Sequence, residues 1–353
     1  MHLKNSKMVM VTGAEGFIGS HLIKELLKRG YIVKAFDLPL LEHCKNLSEV
    51  MDNKNLYYFS GDIRDKEAVE KFFCEKSSVI FHLASVVGVR YYMEDPLSLI
   101  DVSIIGTKNI LEHCLKNKTR ILFSSTSEIY GKNNKTPWDE DSDRVIGNPS
   151  VDRWSYSSSK ALVEHMLFAL SRSKGLKFST VRFFNVYGPK QNPIYVVSQS
   201  LQKIMNGERP EIYDSGEQNR CFTYVEDVIE GIILAATKNS ALGHAFNIGN
   251  NKPTTISKLV NLCLEITSST LQPIFVNTDK KYGSVYEDIE KRIPKVTKAK
   301  KILGWSAKTN LKDGLKKTYK WIIENKYYLD LNKEKSSIKN LILQNSDIVK
   351  KSA

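Results

Sequence analysis

Cysteine is scarce in this chain, and the five present (Cys44, Cys74, Cys114, Cys221 and Cys263) are scattered without a Cys-x-x-Cys pair. That spacing excludes a disulfide framework and a zinc site, and it predicts reduced thiols in a cytoplasmic protein without a metal. No apolar run is long enough to span a bilayer, and residues 1–7 carry lysines but no apolar segment with a cleavage site. The expectation is therefore neither a membrane span nor a signal peptide. Acidic residues are outnumbered, 39 Asp and Glu against 52 Lys and Arg, for a net charge of +13. A surplus of that size raises the question of nucleic acid, but no aromatic ribonucleoprotein motif or zinc finger accompanies it. Its lysines are spread over solvated faces such as Lys298-Ala299-Lys300-Lys301 and over the tail. A diffuse basic surface with room for a local diphosphate pocket is the reading that remains, without nucleic acid as a partner. Internal repeats are missing too. Apolar residues are not: at 41% of 353 residues they can fill one large α/β domain and a smaller one.

The chain is organised around Met8 to Gly19, MVMVTGAEGFIG. Val9-Met10-Val11 reads as a buried strand, and Leu22, Leu26 and Leu27 fall on one face of a following helix. Between them, Gly13 turns the chain off the strand, Gly16 admits a pyrophosphate to the backbone, and Gly19 lets the helix pack close to the sheet. The helix start offers free N–H groups and the positive dipole end to that ligand. A second strand, Tyr31 to Phe36, ends in Asp37, about 20 residues past the glycines, where a ribose-binding carboxylate belongs.

Further along, strand and helix alternate as in a doubly wound parallel α/β sheet of the Rossmann type. Leu56 to Phe59, Val79 to Ala84, Ile121 to Phe123 and Phe178 to Arg182 read as strands. Ala68 to Phe73, a long helix after Pro96, and Trp154 to Ser171 read as helices. The rhythm breaks near Asn185, which divides the chain into a dinucleotide-binding domain at 1–184, a smaller substrate-binding lobe at 185–332 and a basic tail at 333–353. The strand-like Ala245 to Ile248 and the helix Ile256 to Ile266 fall in the lobe, and the chain crosses between the two parts more than once.

Chemistry enters at the carboxyl ends of the strands. Strand five delivers Thr126, and the next helix carries Tyr156 and Lys160, four apart and so one turn from each other on one face. A free tyrosine, with a pKa near ~10, is a poor base at neutral pH. A nearby ammonium and a positive nicotinamide ring favour its phenolate. Together Thr126, Tyr156 and Lys160 can take the proton of a secondary alcohol while its hydride leaves for a nicotinamide.

TGAEGFIG, Asp37, GDIRD, HLAS, SSTSEIYG, YSSSK, RFFNVYGP, RCFTYVEDV and FNIGN occur in this order. In that order they resemble the extended short-chain dehydrogenase/reductase family of nucleotide-sugar epimerases, dehydratases and decarboxylases, over about Met8 to Trp305. The resemblance implies NAD as cofactor and a UDP-sugar as substrate. It places Phe17 and Ile18 at the pyrophosphate turn, Asp62 and Ile63 beside the adenine, and Leu83, Ala84 and Ser85 along the dinucleotide. Lys160 would also hold the nicotinamide ribose. On the substrate side it implies Asn185 and Arg220 at the diphosphate, Tyr213 near the base, Arg292 toward the phosphates or sugar, and Ser127 and Arg90 at the sugar. Family members pair two helices across a two-fold axis, so a homodimer is expected.

Members of this family oxidise C4 of the sugar to a ketone, and their later steps diverge. A 4,6-dehydratase typically has Thr-Asp-Glu after strand five; here the triplet is Thr126-Ser127-Glu128, and serine is a far weaker acid. Thr-Ser-Glu followed by Tyr-Gly, together with Arg292-Ile293-Pro294, resembles UDP-glucuronate decarboxylases. Gly88 to Tyr92 with Glu94-Asp95-Pro96 resembles the loop of UDP-glucuronate 4-epimerases instead. The sequence reading leans to a 4-epimerase, which needs the fewest groups beyond Thr126, Tyr156 and Lys160, with Glu128 the chief feature against it. A non-catalytic dinucleotide sensor on this fold generally lacks the Tyr or the Lys, and both are present. Asp37 would meet a 2′-phosphate with like charge, so NAD is expected to bind much more tightly than NADP; equal affinities in a titration would show that Asp37 faces elsewhere.

Overall fold

A computed structural model of the protein describes residues 8–73, 77–88, 95–278, 280 and 288–331. Arg90 and the 333–353 tail lie outside the described residues.

The apolar strand segments assemble into one parallel sheet of seven strands. They are β1 (Met8–Thr12), β2 (Ile32–Asp37), β3 (Leu56–Ser60), β4 (Val79–His82), β5 (Arg120–Thr126), β6 (Phe178–Phe183) and β7 (Ala245–Ile248). Their order across the sheet is β7-β6-β5-β4-β1-β2-β3. The chain runs outward from β1 to β3, then returns to place β4 on the other side of β1. The topological switch point therefore lies between β1 and β4, where such sheets bind their ligands. Thr12 stands opposite Phe36 on one side and His82 on the other, so the glycine turn opens at that point.

Both faces are covered, which is why the strands read as continuous apolar runs. Helix α1 (Phe17–Lys28) buries Leu22, Ile23, Leu26 and Leu27 on one face. The other face takes α2 (Lys66–Phe72) and, after α3 (Pro96–Asp101), whose Leu99 packs on Tyr156, α4 (Thr107–Asn117) and α5 (Arg153–Lys174). Local chemistry sets the starts: Asp65 accepts from the N–H groups of Glu67 and Ala68 at α2, and Asp95 precedes Pro96 at α3. A π-helical turn, Val102–Gly106, joins α3 to α4.

The smaller lobe packs α6 (Val196–Met205), a helix at Ile256–Ile266 and another at Leu311–Glu324 around their own core of Leu201, Ile212, Phe222, Leu259, Val260 and Leu315. Short strands complete it, with Asn219–Arg220 lying between Thr254–Thr255 and Lys291–Arg292.

One sequence expectation is corrected. Ala245–Ile248, assigned above to the lobe, is β7 of the main sheet, paired in parallel with β6. The helix before it, α7 (Val225–Thr237), packs beside α1 on the sheet as the crossover between β6 and β7. A four-residue run buried throughout carries no local mark of which sheet it joins. Trp305 also returns to this face, its Nε1 donating to the Asp227 carbonyl at 2.8 Å.

Candidate active site

At the switch point two backbones come into contact. Gly13 has φ +72°, and a Cβ there would lie 2.7 Å from the amide nitrogen of Ala84. A Cβ on Gly19 would lie 1.9 Å from the Gly13 carbonyl oxygen. The start of α1 has no side-chain cap, which leaves its N–H groups facing the turn. Asp37 ends β2 beside it, with Oδ2 accepting from the Glu15 amide at 2.8 Å and Oδ1 from the Leu38 amide at 2.8 Å. A carboxylate has about four acceptor positions, so Asp37 retains capacity for ribose hydroxyls. Backbone N–H groups and a carboxylate so arranged suit a dinucleotide pyrophosphate and its ribose. Phe17 and Ile18 follow on the first turn of α1, and Leu83, Ala84 and Ser85 leave β4 opposite them.

Beneath the cradle lies a buried polar link. His82 Nδ1 meets Thr12 Oγ1 at 2.7 Å, and its Nε2 meets Thr107 Oγ1 at 3.0 Å. Burial, with the Lys160 charge acting the same way, lowers the His82 pKa to about 3, so the ring is neutral. Asp62 is held by Arg64, whose Nη2 lies 2.6 Å from Oδ2, and Ile63 is buried with its carbonyl accepting from Asn109.

Tyr156 and Lys160 share the buried face of α5, beside the carboxyl end of β5. Thr126 ends β5, and its hydroxyl is hydrogen-bonded to that of Tyr156 on α5. Lys160, one turn on, donates to the Ser124 carbonyl at 2.9 Å, and its ammonium lies 4.7 Å from the Phe123 ring centroid. Burial pushes the Tyr156 phenol above its ordinary value, with Tyr195 and Glu128 acting in the same direction against the Thr126 bond. Burial likewise brings the Lys160 pKa down to about 7, opposed by Glu164. The protein alone therefore keeps the phenol protonated, and forming a phenolate needs further positive charge at this site.

Beyond Thr126 the chain turns through Ser127–Tyr130, with Ser127 buried and the Glu128 carbonyl tied to Ser157 Oγ at 2.7 Å. The Glu128 carboxylate faces Arg153 Nη2 at 3.2 and 3.4 Å, and Arg292 Nη1 donates to its Oε1. Burial opposes its charge, but Arg153, Arg292 and Arg220 together hold its pKa down to about 2. Arg220 Nη2 donates to Asp288 Oδ1 at 2.8 Å. Two buried polar atoms here, Asn185 Oδ1 and Arg292 Nε, have no hydrogen-bond partner among the described residues. The Arg292 donor suits an anionic oxygen, and the Asn185 acceptor suits a ligand hydroxyl or N–H. Tyr213 ends the Glu211–Tyr213 strand, its carbonyl accepting from Gln218 Nε2 at 3.2 Å, two residues before Arg220.

Four site residues were not singled out from the sequence. Arg153 had a usable signal, since it precedes Tyr156 by three and so shares its helix face. Asp288 had none. Glu15 and Lys190 fasten the glycine turn: Glu15 accepts from the amides of Asn46 at 2.8 Å and Leu47 at 3.2 Å, and Lys190 donates to the Asn46 carbonyl at 2.7 Å.

A glycine cradle at the switch point, a Thr-Tyr-Lys group at the β5 edge and an arginine-rich lobe define an enzyme that acts on a nucleotide-linked alcohol with a dinucleotide. A family model described as GDP-mannose 4,6 dehydratase matches residues 10–318. The chain is 36% identical over 321 residues to the UDP-N-acetyl-alpha-D-glucosaminuronate decarboxylase of Bacillus cytotoxicus, covering 90% of this chain and 98% of that one. It is similar to the solved UDP-glucose 4-epimerase of Thermotoga maritima with UDP-glucose: TM-score 0.81, 32% identity, 90% and 99% of the two chains. A UDP-glucuronic acid 4-epimerase mutant from Bacillus cereus, solved with UDP-4-deoxy-4-fluoro-glucuronic acid and NAD, gives a TM-score of 0.80 at 26% identity, over 90% and 99%. The chain belongs to the GDP-mannose dehydratase-like, extended short-chain dehydrogenase/reductase family of nucleotide-sugar epimerases, decarboxylases and dehydratases.

Burial lifts the Glu15 carboxyl to about 7, with nearby Asp37 adding to the rise against the two amide bonds. A raised acid binds its proton in the folded state between the unfolded value, ~4.3, and about 7, so its stabilising contribution is lost as pH rises through that window. Glu15→Gln is expected to raise the melting temperature at pH 8 and to change it little at pH 5. The same shift at both pH values in a thermal scan would show that Glu15 does not titrate as a buried acid.

Proposed function

We propose that the protein is an NAD-dependent decarboxylase of a UDP-linked hexuronate, acting through a 4-keto sugar. The observation that carries this reading is Glu128, held ionised between Arg153 and Arg292 two residues beyond Thr126. Simple inversion at C4 handles neither a proton nor a carboxyl group near C5, so it gives such a carboxylate no task. Decarboxylation does. A 4-ketone makes the C6 carboxylate a β-keto acid, which loses neutral carbon dioxide readily, and Glu128 with its arginines would orient that carboxylate for departure. The decarboxylase relative supports the same choice.

In this reading Tyr156 takes the C4 hydroxyl proton and Thr126 orients the oxygen. Both hydroxyls then donate to that oxygen as negative charge gathers on it after carbon dioxide departs. NAD, when bound in the glycine cradle, supplies the hydride acceptor for C4. Lys160, already buried against β5, holds positive charge beside the phenol. Arg220, Arg292 and Asn185 grip the diphosphate, where guanidinium forks match phosphate oxygens. The second reading, a 4-epimerase, is favoured by the sufficiency of Thr126, Tyr156 and Lys160 and by the 4-epimerases of similar structure.

The homodimer belongs to the same proposal. Leu97 (73% exposed), Ile105 (44%) and Leu162 (50%) stand on α3, the π-turn and α5. These are the elements the family pairs across a two-fold axis. No helix among the described residues is long and apolar enough to cross a membrane, and none of their acidic, His or Cys side chains cluster as a metal site.

Incubation with NAD and a panel of UDP-sugars, read by mass and NMR, tests the reaction. UDP-glucuronate or its N-acetylamino relative is expected to lose carbon dioxide; a product of unchanged mass would make the enzyme an epimerase, and loss of water a dehydratase. Tyr156→Phe should reduce turnover by roughly 10²–10⁴-fold with UDP-sugar binding nearly intact. Substantial residual turnover would remove Tyr156 as the base. Sedimentation should give a dimer, and a monomer at micromolar concentration would refute that part.

A further inference from the structure

Arg153 is the one guanidinium in the site to which no motif gives a role. It opens α5 one turn before Tyr156, and its side chain is 2% exposed. Nη2 reaches both Glu128 oxygens, at 3.2 and 3.4 Å, and Nη1 lies 3.9 Å from Asp288 Oδ1. Asp288 also accepts from Arg220, and Glu128 also accepts from Arg292. Charges therefore alternate along Arg220–Asp288–Arg153–Glu128–Arg292.

The cluster is mounted on apolar residues. Ile129 follows Glu128, Trp154 follows Arg153 and Ile289 follows Asp288, and all three side chains are buried in one core with Tyr130, Trp138 and Phe184. Each charged head is thus displayed by a neighbour that cannot leave the core without exposing apolar surface. Arg292 is fastened differently: the Trp138 amide donates to the Ile293 carbonyl at 2.8 Å, and the Lys295 amide to the Trp138 carbonyl at 2.8 Å. Arg292 belongs to a strand of the smaller lobe, whereas Arg153 shares a helix with Tyr156 and Lys160. Of the two guanidiniums on Glu128, Arg153 is the one rigidly tied to the base.

We propose that Arg153 is a positioning residue that holds the Glu128 carboxylate in register with Tyr156. This deepens the decarboxylase reading and rests on it. The charged and titratable groups facing Glu128 are Arg153 and Tyr156 from α5 and Arg292 and Arg220 from the lobe strands, with Asp288 against Arg153 and Arg220. Losing Arg153 removes one of the charges that oppose burial of Glu128, so its proton should bind at higher pH.

The test is a double-mutant cycle on carbon dioxide release from UDP-glucuronate with the NAD-loaded enzyme, using Arg153→Met, Glu128→Gln and both together. Arg153→Met should lower kcat about 100-fold, the scale of a roughly 1 Å misplacement, with KM changed less than about threefold. The double variant should be no slower than Glu128→Gln. The acid limb of kcat should move to higher pH in Arg153→Met than in the wild type. Arg153→Lys, which keeps the charge but not the fork, should recover part of the rate, and it serves for the cycle if the Met variant misfolds. Losses that multiply in the double variant, an unmoved acid limb, or a raised KM at unchanged kcat would overturn the proposal. A wild type that interconverts C4 epimers without releasing carbon dioxide would overturn the decarboxylase reading instead. The same cycle measured on that interconversion would then decide Arg153, multiplying losses again counting against it.

Discussion

Arg153, Tyr156, Lys160 and Glu164 recur at three- and four-residue intervals along α5, so all four lie on the face turned into the protein, and all four are buried. Charge buried this way is costly unless every group finds a partner. Glu164 meets Arg182 from β6 in a two-bonded pair, Nε to Oε1 at 3.0 Å and Nη2 to Oε2 at 2.6 Å. Arg182 Nη1 donates to the Tyr130 hydroxyl and the Glu140 carbonyl. Lys160 turns to the Ser124 carbonyl, and Arg153 to Glu128 and Asp288. The positions of β5, β6 and the loop after β5 are all fitted to this one helix face.

That fit also explains why the lobes interleave. Glu128 and Arg153 come from the sheet domain, Arg292, Arg220 and Asp288 from the lobe, and the backbone pairing of Trp138 with Ile293 and Lys295 holds the two sets together. Asn247, at the edge strand β7, joins the same network: its Nδ2 donates to the Trp138 carbonyl and its Oδ1 accepts from the Tyr130 hydroxyl. A strand that left the lobe to complete the sheet thus becomes part of the support behind the site.

On the cofactor side the governing demand is contact between backbones. The glycine turn approaches Ala84 so closely that Gly13 has no room for a side chain, and the neutral His82 bridge ties β1 to α4 beneath it. The segment over the turn is held by Glu15, Asn46 and Lys190, so chain from three regions meets around one loop.

Much of this was legible in the sequence because it is local. A strand, a glycine turn and a helix follow each other directly, Asp37 ends the adjacent strand, and a Tyr and a Lys four apart share a helix face whatever surrounds them. The main sheet through β6, the dinucleotide cradle and the Thr126-Tyr156-Lys160 group follow from such regularities. The tertiary structure decided what depends on distant pieces of chain. Arg292 reaches Glu128 across 164 residues and Arg153 across 25. Asp288 and Glu15 took their partners from segments with no periodic relation to them, and β7 took its sheet from the path of α7. Burial decided the charges as well: it leaves Tyr156 protonated in the protein alone, while guanidiniums from two lobes keep Glu128 ionised. Spacing sets which residues share a face, whereas desolvation and long-range pairing, which set their charge, exist only once the chain has closed around them.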